Sequence, residues 1–174
     1  MSGENHRVVF GTGASIRYKL FNSEKEARGA AADAIHQGRV SQVAVEENKN
    51  GQWLAAPTHE MGRFWLLQKK LERATQYLEI AAAESGATAA VYNDLGVAYL
   101  ESGDPLKTNK ARLEFQLALK QDPEFAPAIF NFALFYERTN AVEQAKAEWN
   151  RYLELDPKSD WAREALERLQ GLSR

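Results

Sequence analysis

The pattern of apolar and polar residues changes near residue 55. Before that point, residues 16–20 alternate apolar and polar side chains, as a half-buried strand does, whereas the alanines and isoleucine of residues 27–35 recur at helical spacing. After it, apolar residues recur with the helical period almost to the end of the chain. The pattern therefore predicts a mixed N-terminal segment followed by a predominantly helical one.

Residues 1–54 predict a strand, a helix and a hairpin, in that order. Ser23 and Glu26 form a capping box at the start of the helix, in which the two side chains satisfy free backbone N–H groups. Residues 43–45 predict a second strand, and the turn sequence at residues 48–51 predicts the hairpin that follows it. We therefore expect a small α/β module that depends on its neighbour for stability.

The helical segment repeats itself. Three small residues follow one another at separations of 34 and 37 residues, namely Gly62, Gly96 and Ala133. Three alanines show separations of 37 and then 34 residues, namely Ala74, Ala111 and Ala145. Both series fit a unit of 34 residues whose middle copy carries three extra residues between Tyr99 and Ala111, where turn residues make an insertion inexpensive. A period of this length is typical of a solenoid of helix pairs.

Large residues recur with the same separations. One series is Trp65, Tyr99 and Tyr136, and another, in the second half of the unit, is Leu78, Phe115 and Trp149. We expect the small residues to let the two helices of a unit approach closely. We expect the aromatic residues of the first half to fill the space between stacked units. On this interpretation Gly96 is a packing residue.

These residues resemble the tetratricopeptide-repeat (TPR) family. Its pattern is matched by residues 94–99, 111–119 and 122–123, and nearly as well by residues 132–136, Ala145, Trp149 and residues 155–157. In the first unit, Lys69 and Lys70 stand where the family has a turn glycine, and Gly86 stands in place of a closing proline. The resemblance covers about two thirds of the chain and does not extend to its N-terminal part.

The resemblance implies a mostly α fold, a TPR-type helical-repeat solenoid (an α-α superhelix), preceded by the small α/β module. We expect two domains, at residues 1–54 and 55–174. The second contains three units and a polar capping helix, at residues 55–88, 89–125, 126–159 and 160–172.

Composition narrows the choice of partners. The 22 Lys and Arg residues nearly balance the 24 Asp and Glu residues, so a net charge of −2 gives no electrostatic drive toward nucleic acid or anionic membranes. The absence of cysteine excludes disulfides, thiol nucleophiles and cysteine-based zinc sites. No apolar run is long enough to span a membrane. We expect a cytoplasmic protein with a protein or peptide partner.

The sequence offers no chemistry that points to catalysis. Gly11 and Gly13 lack the third glycine of a dinucleotide-binding fingerprint. His59 and Glu60 begin like a zinc-binding helix, but Arg63 stands where the second histidine is needed. We therefore expect no catalytic residue, no metal and no cofactor, and predict that the protein is not an enzyme.

In the TPR family the first helix of each unit lines a concave groove. The resemblance therefore places the partner-binding groove at His59, Arg63, Asn93, Val97, Leu100, Phe130, Asn131, Leu134 and Arg138. Some members hold a partner's terminal carboxylate with Lys, Asn and Arg side chains at fixed positions. Most of those positions here are Ala56, His59, Asp94 and Pro127, so we do not expect a carboxylate clamp.

The sequence is compatible with two arrangements of this groove. In one, Phe130 and its apolar neighbours face solvent, and Phe130 anchors an amphipathic helix or an extended peptide. In the other, part of the groove is covered, either by the capping helix through Trp161 and Leu166 or by the N-terminal module.

The sequence and the resemblance together predict one main function and leave two alternative functions. The main prediction is a non-catalytic adaptor or scaffold that binds a segment of a partner protein in the groove of its TPR array. The first alternative is that the N-terminal module is a ligand-binding or catalytic unit, for which the array provides targeting or oligomerisation. The second is a homo-oligomer assembled through the groove or the ends of the solenoid.

Overall fold

The computed structural model describes residues 6–12, 15–21, 23–36, 42–49, 52–55 and 58–173. In this part of the chain the structure is mostly helical, with a four-stranded sheet near the N-terminus. Contacts divide the chain into two compact units, Met1–Ala87 and Thr88–Arg174.

The first unit contains a sheet and three helices. In chain order they are β1 (His6–Thr12), β2 (Ser15–Phe21), α1 (Glu24–His36), β3 (Gln42–Lys49), β4 (Gln52–Ala55), α2 (Thr58–Leu67) and α3 (Leu71–Ala83). The sheet has the order β2-β1-β3-β4, and every neighbouring pair is antiparallel. Val8 is paired with Lys19 on one side and Val45 on the other. Helix α1 therefore connects two strands, β2 and β3, that run in the same direction on either side of β1.

The predicted start of α1 is confirmed. The Oγ of Ser23 accepts a hydrogen bond from the backbone N–H of Glu26 at 3.3 Å, as an N-cap side chain does. Ala27 and Ala31 are fully buried, so the alanine stripe is the packed face of the helix. The predicted hairpin is present as the antiparallel pair β3 and β4, although residues 50–51 of its turn lie outside the described residues.

The N-terminal segment is not supported as a separate α/β module. Helix α3 packs against both α1 and β3, so the helix pair α2–α3 forms one unit with the strands. The physical reason is the composition of α1: a face of alanines buries little apolar area, and other elements must supply the rest. The boundary between residues 54 and 55, which follows the repeat pattern, stays a prediction.

The second unit is entirely helical in its described residues. It contains α4 (Ala89–Glu101), α5 (Pro105–Gln121), α6 (Ala126–Arg138), α7 (Val142–Leu155) and α8 (Asp160–Gly171). The pairs α4–α5 and α6–α7 make the most extensive packing interfaces. Helix α6 also contacts α4 and α5, and α8 packs on α7. This is the order of contacts expected of stacked helix pairs followed by a capping helix.

Each pair is closed by a small residue on its first helix and a large one on its second. A Cβ atom on Gly62 would lie 2.6 Å from Cγ of Leu78, and one on Gly96 would lie 2.7 Å from the ring of Phe115. In the third pair, Ala133 and Trp149 are fully buried in the same cluster. The prediction that Gly96 is a packing residue is confirmed, because its missing side chain provides the space for Phe115.

The turn between the two helices of a pair needs the left-handed backbone conformation. Its φ is 54° at Lys69, 65° at Gly103 and 58° at Asn140, the same position in each unit. The three extra residues of the middle unit follow this turn and extend α5 to 17 residues, against 13 in α3 and 14 in α7. Asp104 caps the longer helix, because its Oδ1 accepts from the N–H of Leu106 at 2.9 Å. The insertion therefore adds about one helical turn rather than a longer loop.

Candidate functional site

Seven of the nine predicted groove residues lie on the neighbouring first helices α4 and α6, and three of them form polar links. The amide Nδ2 of Asn131 donates to Oδ1 of Asn93 at 2.9 Å, and Nδ2 of Asn93 donates to Oδ1 of Asp94 at 3.1 Å. Near the other end of the helices, a guanidinium nitrogen of Arg138 lies 2.7 Å from Oε1 of Glu101. The structure thus brings Asn93, Asn131 and Arg138 into links that hold α4 and α6 together.

The apolar groove residues lie between these polar links along the helices. Val97 and Leu100 are half-buried on α4, and Leu134 is half-buried on α6, where it packs against the core of the second unit. All three retain exposed surface. Their role in binding a partner stays a prediction.

The prediction that Phe130 is a solvent-exposed anchor is wrong. Only 6% of Phe130 is exposed, and its ring meets those of Trp149, Tyr152 and Trp161 edge-to-face at centroid distances of 4.8, 5.1 and 5.2 Å. The covering residue from α8 is Trp161, as the alternative arrangement predicted, whereas Leu166 is 46% exposed. Phe130 belongs to the core because aromatic residues of both α7 and α8 pack around it.

A cleft of about 600 Å³ opens beside the covered Phe130. The cleft lies between α6, α7 and α8, and Asp156 at the end of α7 completes its wall. Its main lining residues are Pro127, Asn131, Leu134, Tyr152, Asp156, Trp161 and Glu164. Trp161 stands at this cleft with 60% of its surface exposed. Such a concave, largely apolar site with a few polar groups is the usual form of a binding pocket.

Asp156 fixes one wall of the cleft. Its Oδ2 accepts hydrogen bonds from the hydroxyls of Ser159 and of Tyr152, the latter at 2.9 Å. These bonds, with that of Ser159 first, hold the pKa of the Asp156 carboxyl below its usual value. The Oγ of Ser159 in turn accepts from the N–H of Ala162 at 3.0 Å and caps α8. Asp156 is therefore ionised at neutral pH and positions the start of α8.

A second set of polar bonds joins α6, α7 and α8. The indole N–H of the buried Trp149 donates to Oε1 of Glu137 at 2.6 Å, and Arg168 donates to Oε2 of the same carboxylate at 3.1 Å. Arg168 also donates to Oε1 of Glu164 at 2.9 Å. One guanidinium is thus shared between two carboxylates.

The sequence pattern did not predict a binding site at this cleft. The first-helix pattern pointed to Asn131 and Leu134, but Tyr152, Asp156 and Glu164 come from α7, the turn after it and α8. Residues 155–157 carried a signal only as the closing sequence of a repeat. The repeat pattern shows which residues are equivalent, and does not show which loops and helix faces meet.

His59 and Arg63 lie on α2, in the first unit. His59 is half-buried and Arg63 is exposed. At the start of the same helix, the hydroxyl of the buried Thr58 donates to Oε1 of Glu84 at 2.8 Å, and burial raises the pKa of Glu84. A role for His59 and Arg63 in binding stays a prediction.

The described residues contain neither a cluster of metal ligands nor a membrane-spanning helix. Among them, no three His, Asp or Glu side chains come together as metal ligands. No helix in the same part of the chain is long and apolar enough to cross a membrane.

Comparison with solved structures identifies the class of fold. The TPR domain of OM64 from Arabidopsis superposes with a TM-score of 0.59 at 23% identity, over 66% of this chain and 92% of that domain. The second TPR domain of human RPAP3, solved with the HSP70 peptide SGPTIEEVD, gives 0.57 at 21% identity, over 67% and 92%. The sequence itself matches no protein-family model and no curated protein.

A third TPR structure agrees with these two. The first TPR of Spaghetti (RPAP3), bound to the HSP90 peptide SRMEEVD, gives a TM-score of 0.60 at 20% identity, over 67% of this chain and 87% of that one. The chain therefore has the TPR fold, and the resemblance seen in its sequence is confirmed at the level of the fold.

Proposed function

We propose that the protein is a non-catalytic adaptor that binds a segment of a partner protein through its TPR helices. The observation that carries this proposal is the cleft formed by α6, α7 and α8, with Trp161 exposed at it. A large exposed aromatic side chain beside an apolar concavity is typical of a protein-interaction site. Two of the similar TPR structures were solved with a bound peptide, which supports the same role.

The groove residues take different parts in this proposal. Val97, Leu100 and Leu134 offer apolar surface to the partner, together with Trp161. Asn93, Asn131 and Arg138 keep α4 and α6 aligned through the bonds described above. His59 and Arg63 are proposed partner contacts on α2. Phe130 shapes the cleft from beneath and does not itself contact the partner.

We also propose a cytoplasmic location. A chain without cysteine gains nothing from an oxidising compartment, and its balanced charge favours protein partners over nucleic acid.

The test is recovery of a partner by the tagged full-length chain in its native host. We expect a protein that co-purifies with the parent and is lost with Trp161→Ala, quantified by mass spectrometry. Leu166→Ala is the matched control, because Leu166 is a partly exposed apolar residue of the same helix outside the cleft lining. Circular dichroism verifies that both variants remain folded. Recovery of no specific partner, or equal recovery with Trp161→Ala, would count against the proposal.

A further inference from the structure

The cleft of the second unit combines an apolar interior with negative charge. Phe130, Leu134 and Tyr152 provide the apolar wall, and Trp161 provides an exposed ring at the edge. The two charged residues in the lining are Asp156 and Glu164, both acidic. Among the residues that line the cleft there is no Lys, Arg or His.

The cation paired with Glu164 is shared with a second carboxylate. Arg168 is shared between Glu164 and Glu137, so this group of three side chains retains one net negative charge. Arg138, the basic residue at the end of α6, is paired with Glu101. Asp156 adds a second negative charge, since its hydrogen bonds to Ser159 and Tyr152 favour the ionised form.

This distribution is opposite to what an acidic peptide needs. The peptides bound in two of the similar TPR structures, SGPTIEEVD and SRMEEVD, end in two glutamates, a valine and an aspartate. Such an end placed in this cleft would bring several carboxylates close to Asp156 and Glu164, and like charges brought together cost binding energy. The clamp positions Asp94 and Pro127 supply no cation to compensate.

We infer, on the basis of the proposed adaptor function, that the cleft binds a partner segment in which Lys or Arg flanks an aromatic or leucine side chain. The apolar side chain enters beside Leu134 and Tyr152. The cation lies between Asp156 and Glu164, where it also faces the exposed ring of Trp161. A cation held over an indole and beside carboxylates gains from both interactions.

Selection from a phage library of randomised 12-residue peptides on the full-length chain tests the inference. We expect enriched sequences to carry net positive charge together with an aromatic or leucine residue. Fluorescence polarisation then measures the affinity of one selected peptide and of a copy with its Lys and Arg replaced by Glu. We expect the charge-reversed copy to bind at least about ten-fold more weakly, and the difference to shrink as salt is raised.

Variants locate the binding. We expect Glu164→Lys to weaken the selected peptide about ten-fold and Glu164→Gln to weaken it less, since the first reverses the charge and the second only removes it. Glu154→Lys is the matched control, because it makes the same charge change at an exposed residue of α7 outside the cleft lining. Trp161→Ala should also weaken binding. Melting curves confirm that each variant is folded.

The outcomes separate this inference from the adaptor function. Enrichment of acidic or charge-indifferent peptides overturns the inference and leaves the adaptor function standing. Cationic peptides whose affinity is unchanged by Glu164→Lys and Trp161→Ala also overturn it, because they bind elsewhere. No enrichment above that on an unrelated immobilised protein contradicts both proposals.

Discussion

At the scale of single residues, the helix pairs depend on complementary sizes. Gly62 faces Leu78, and Gly96 faces Phe115, at distances that leave no space for a β-carbon. Because protein interiors are close-packed, an added group at these glycines must displace the partner side chain. The identity of the residue at each such position is therefore set by its partner on the second helix.

We predict that Gly96→Leu lowers the free energy of unfolding by about 1–3 kcal/mol or more, because the new side chain overpacks the site of Phe115. Gly96→Ala should have a smaller effect, which Phe115→Leu partly relieves in the double variant. Urea denaturation measures all three. Gly29→Ala is the control, since a Cβ there meets nothing within 4 Å. A parent-like stability of Gly96→Leu would mean that the helices pair differently.

In the turns between paired helices, we expect an added glycine to stabilise the protein, because the backbone there has a positive φ. Lys69 has a φ of 54°, a conformation that costs an ordinary residue about 1–2 kcal/mol and glycine almost nothing. We therefore expect Lys69→Gly to raise stability by about 0.5–1 kcal/mol and Gly103→Ala to lower it by a similar amount. Thermal melts of both variants check the pair. A loss of stability in Lys69→Gly would show that its side-chain interactions outweigh the backbone strain.

The carboxyl of Glu84 predicts a pH dependence. Desolvation by burial raises its pKa despite the hydrogen bond from Thr58. Because its pKa is higher in the folded state than in the unfolded state, Glu84 contributes fully to stability at pH values below its unfolded pKa. This contribution is lost as the pH rises through its folded pKa. We expect Glu84→Gln to be more stable than the parent at pH 7, with the difference shrinking toward pH 4. Urea titrations at both pH values measure this, and a variant less stable at pH 7 would contradict it.

At the scale of elements, α8 packs over Phe130, which the first-helix pattern places in the groove, and so makes it part of the core. Its N-cap, Ser159, is fixed by Asp156, and this places Trp161 against the edge of Phe130. The bond from Trp149 to Glu137 and the bonds of Arg168 add a second connection between α8 and the preceding pair. The cleft lies beside the half-buried Leu134 and the ring of Trp161.

We predict that Phe130→Ala lowers the free energy of unfolding by about 3–5 kcal/mol, as expected for a buried aromatic residue that contacts three other rings. Leu106→Ser is the control. It removes a leucine that is 84% exposed, and should change stability by less than about 0.5 kcal/mol. Chemical denaturation of both variants measures the difference. An unchanged midpoint for Phe130→Ala would restore the open arrangement of the groove.

At the scale of the whole molecule, compact units and repeat units do not coincide. The repeat pattern groups α2–α3 with the later helix pairs, whereas contacts group them with the sheet and α1. The middle of α3, from Ala74 to Ala81, is largely buried within this first unit. A division drawn from sequence repeats alone would therefore cut through a set of packed elements.

This difference predicts the behaviour of fragments. A fragment of residues 55–174 lacks α1 and β3, so we expect weak hydrogen-exchange protection over α2 and α3 and normal protection over α4–α8. A fragment of residues 88–174 should fold cooperatively by itself. Hydrogen exchange read by mass spectrometry compares each with the full chain. Full protection of α2 and α3 in the longer fragment would support the boundary that the repeats suggest.

Much of the fold was predictable because its signals are local or periodic. The N-cap at Ser23 depends on residues close in sequence, and the 34-residue period depends on residues that are equivalent by repetition. Both correspond to observed structure. The repeat alignment also predicted the close approach at Gly96. The cleft was not predictable in the same way, since Tyr152, Asp156 and Glu164 belong to different segments and carry no shared pattern.

The sequence was enough to predict stacked helix pairs, because small and large residues recur in it at fixed separations. It also determined the balance of charge and the absence of cysteine chemistry. Only the packing of the folded chain shows that Phe130 is buried, that α3 packs against β3, and that two carboxylates line one apolar cleft. These features depend on which surfaces meet after the helices have formed, and amphipathic periodicity gives the direction of a side chain within its helix and not the neighbour that it meets.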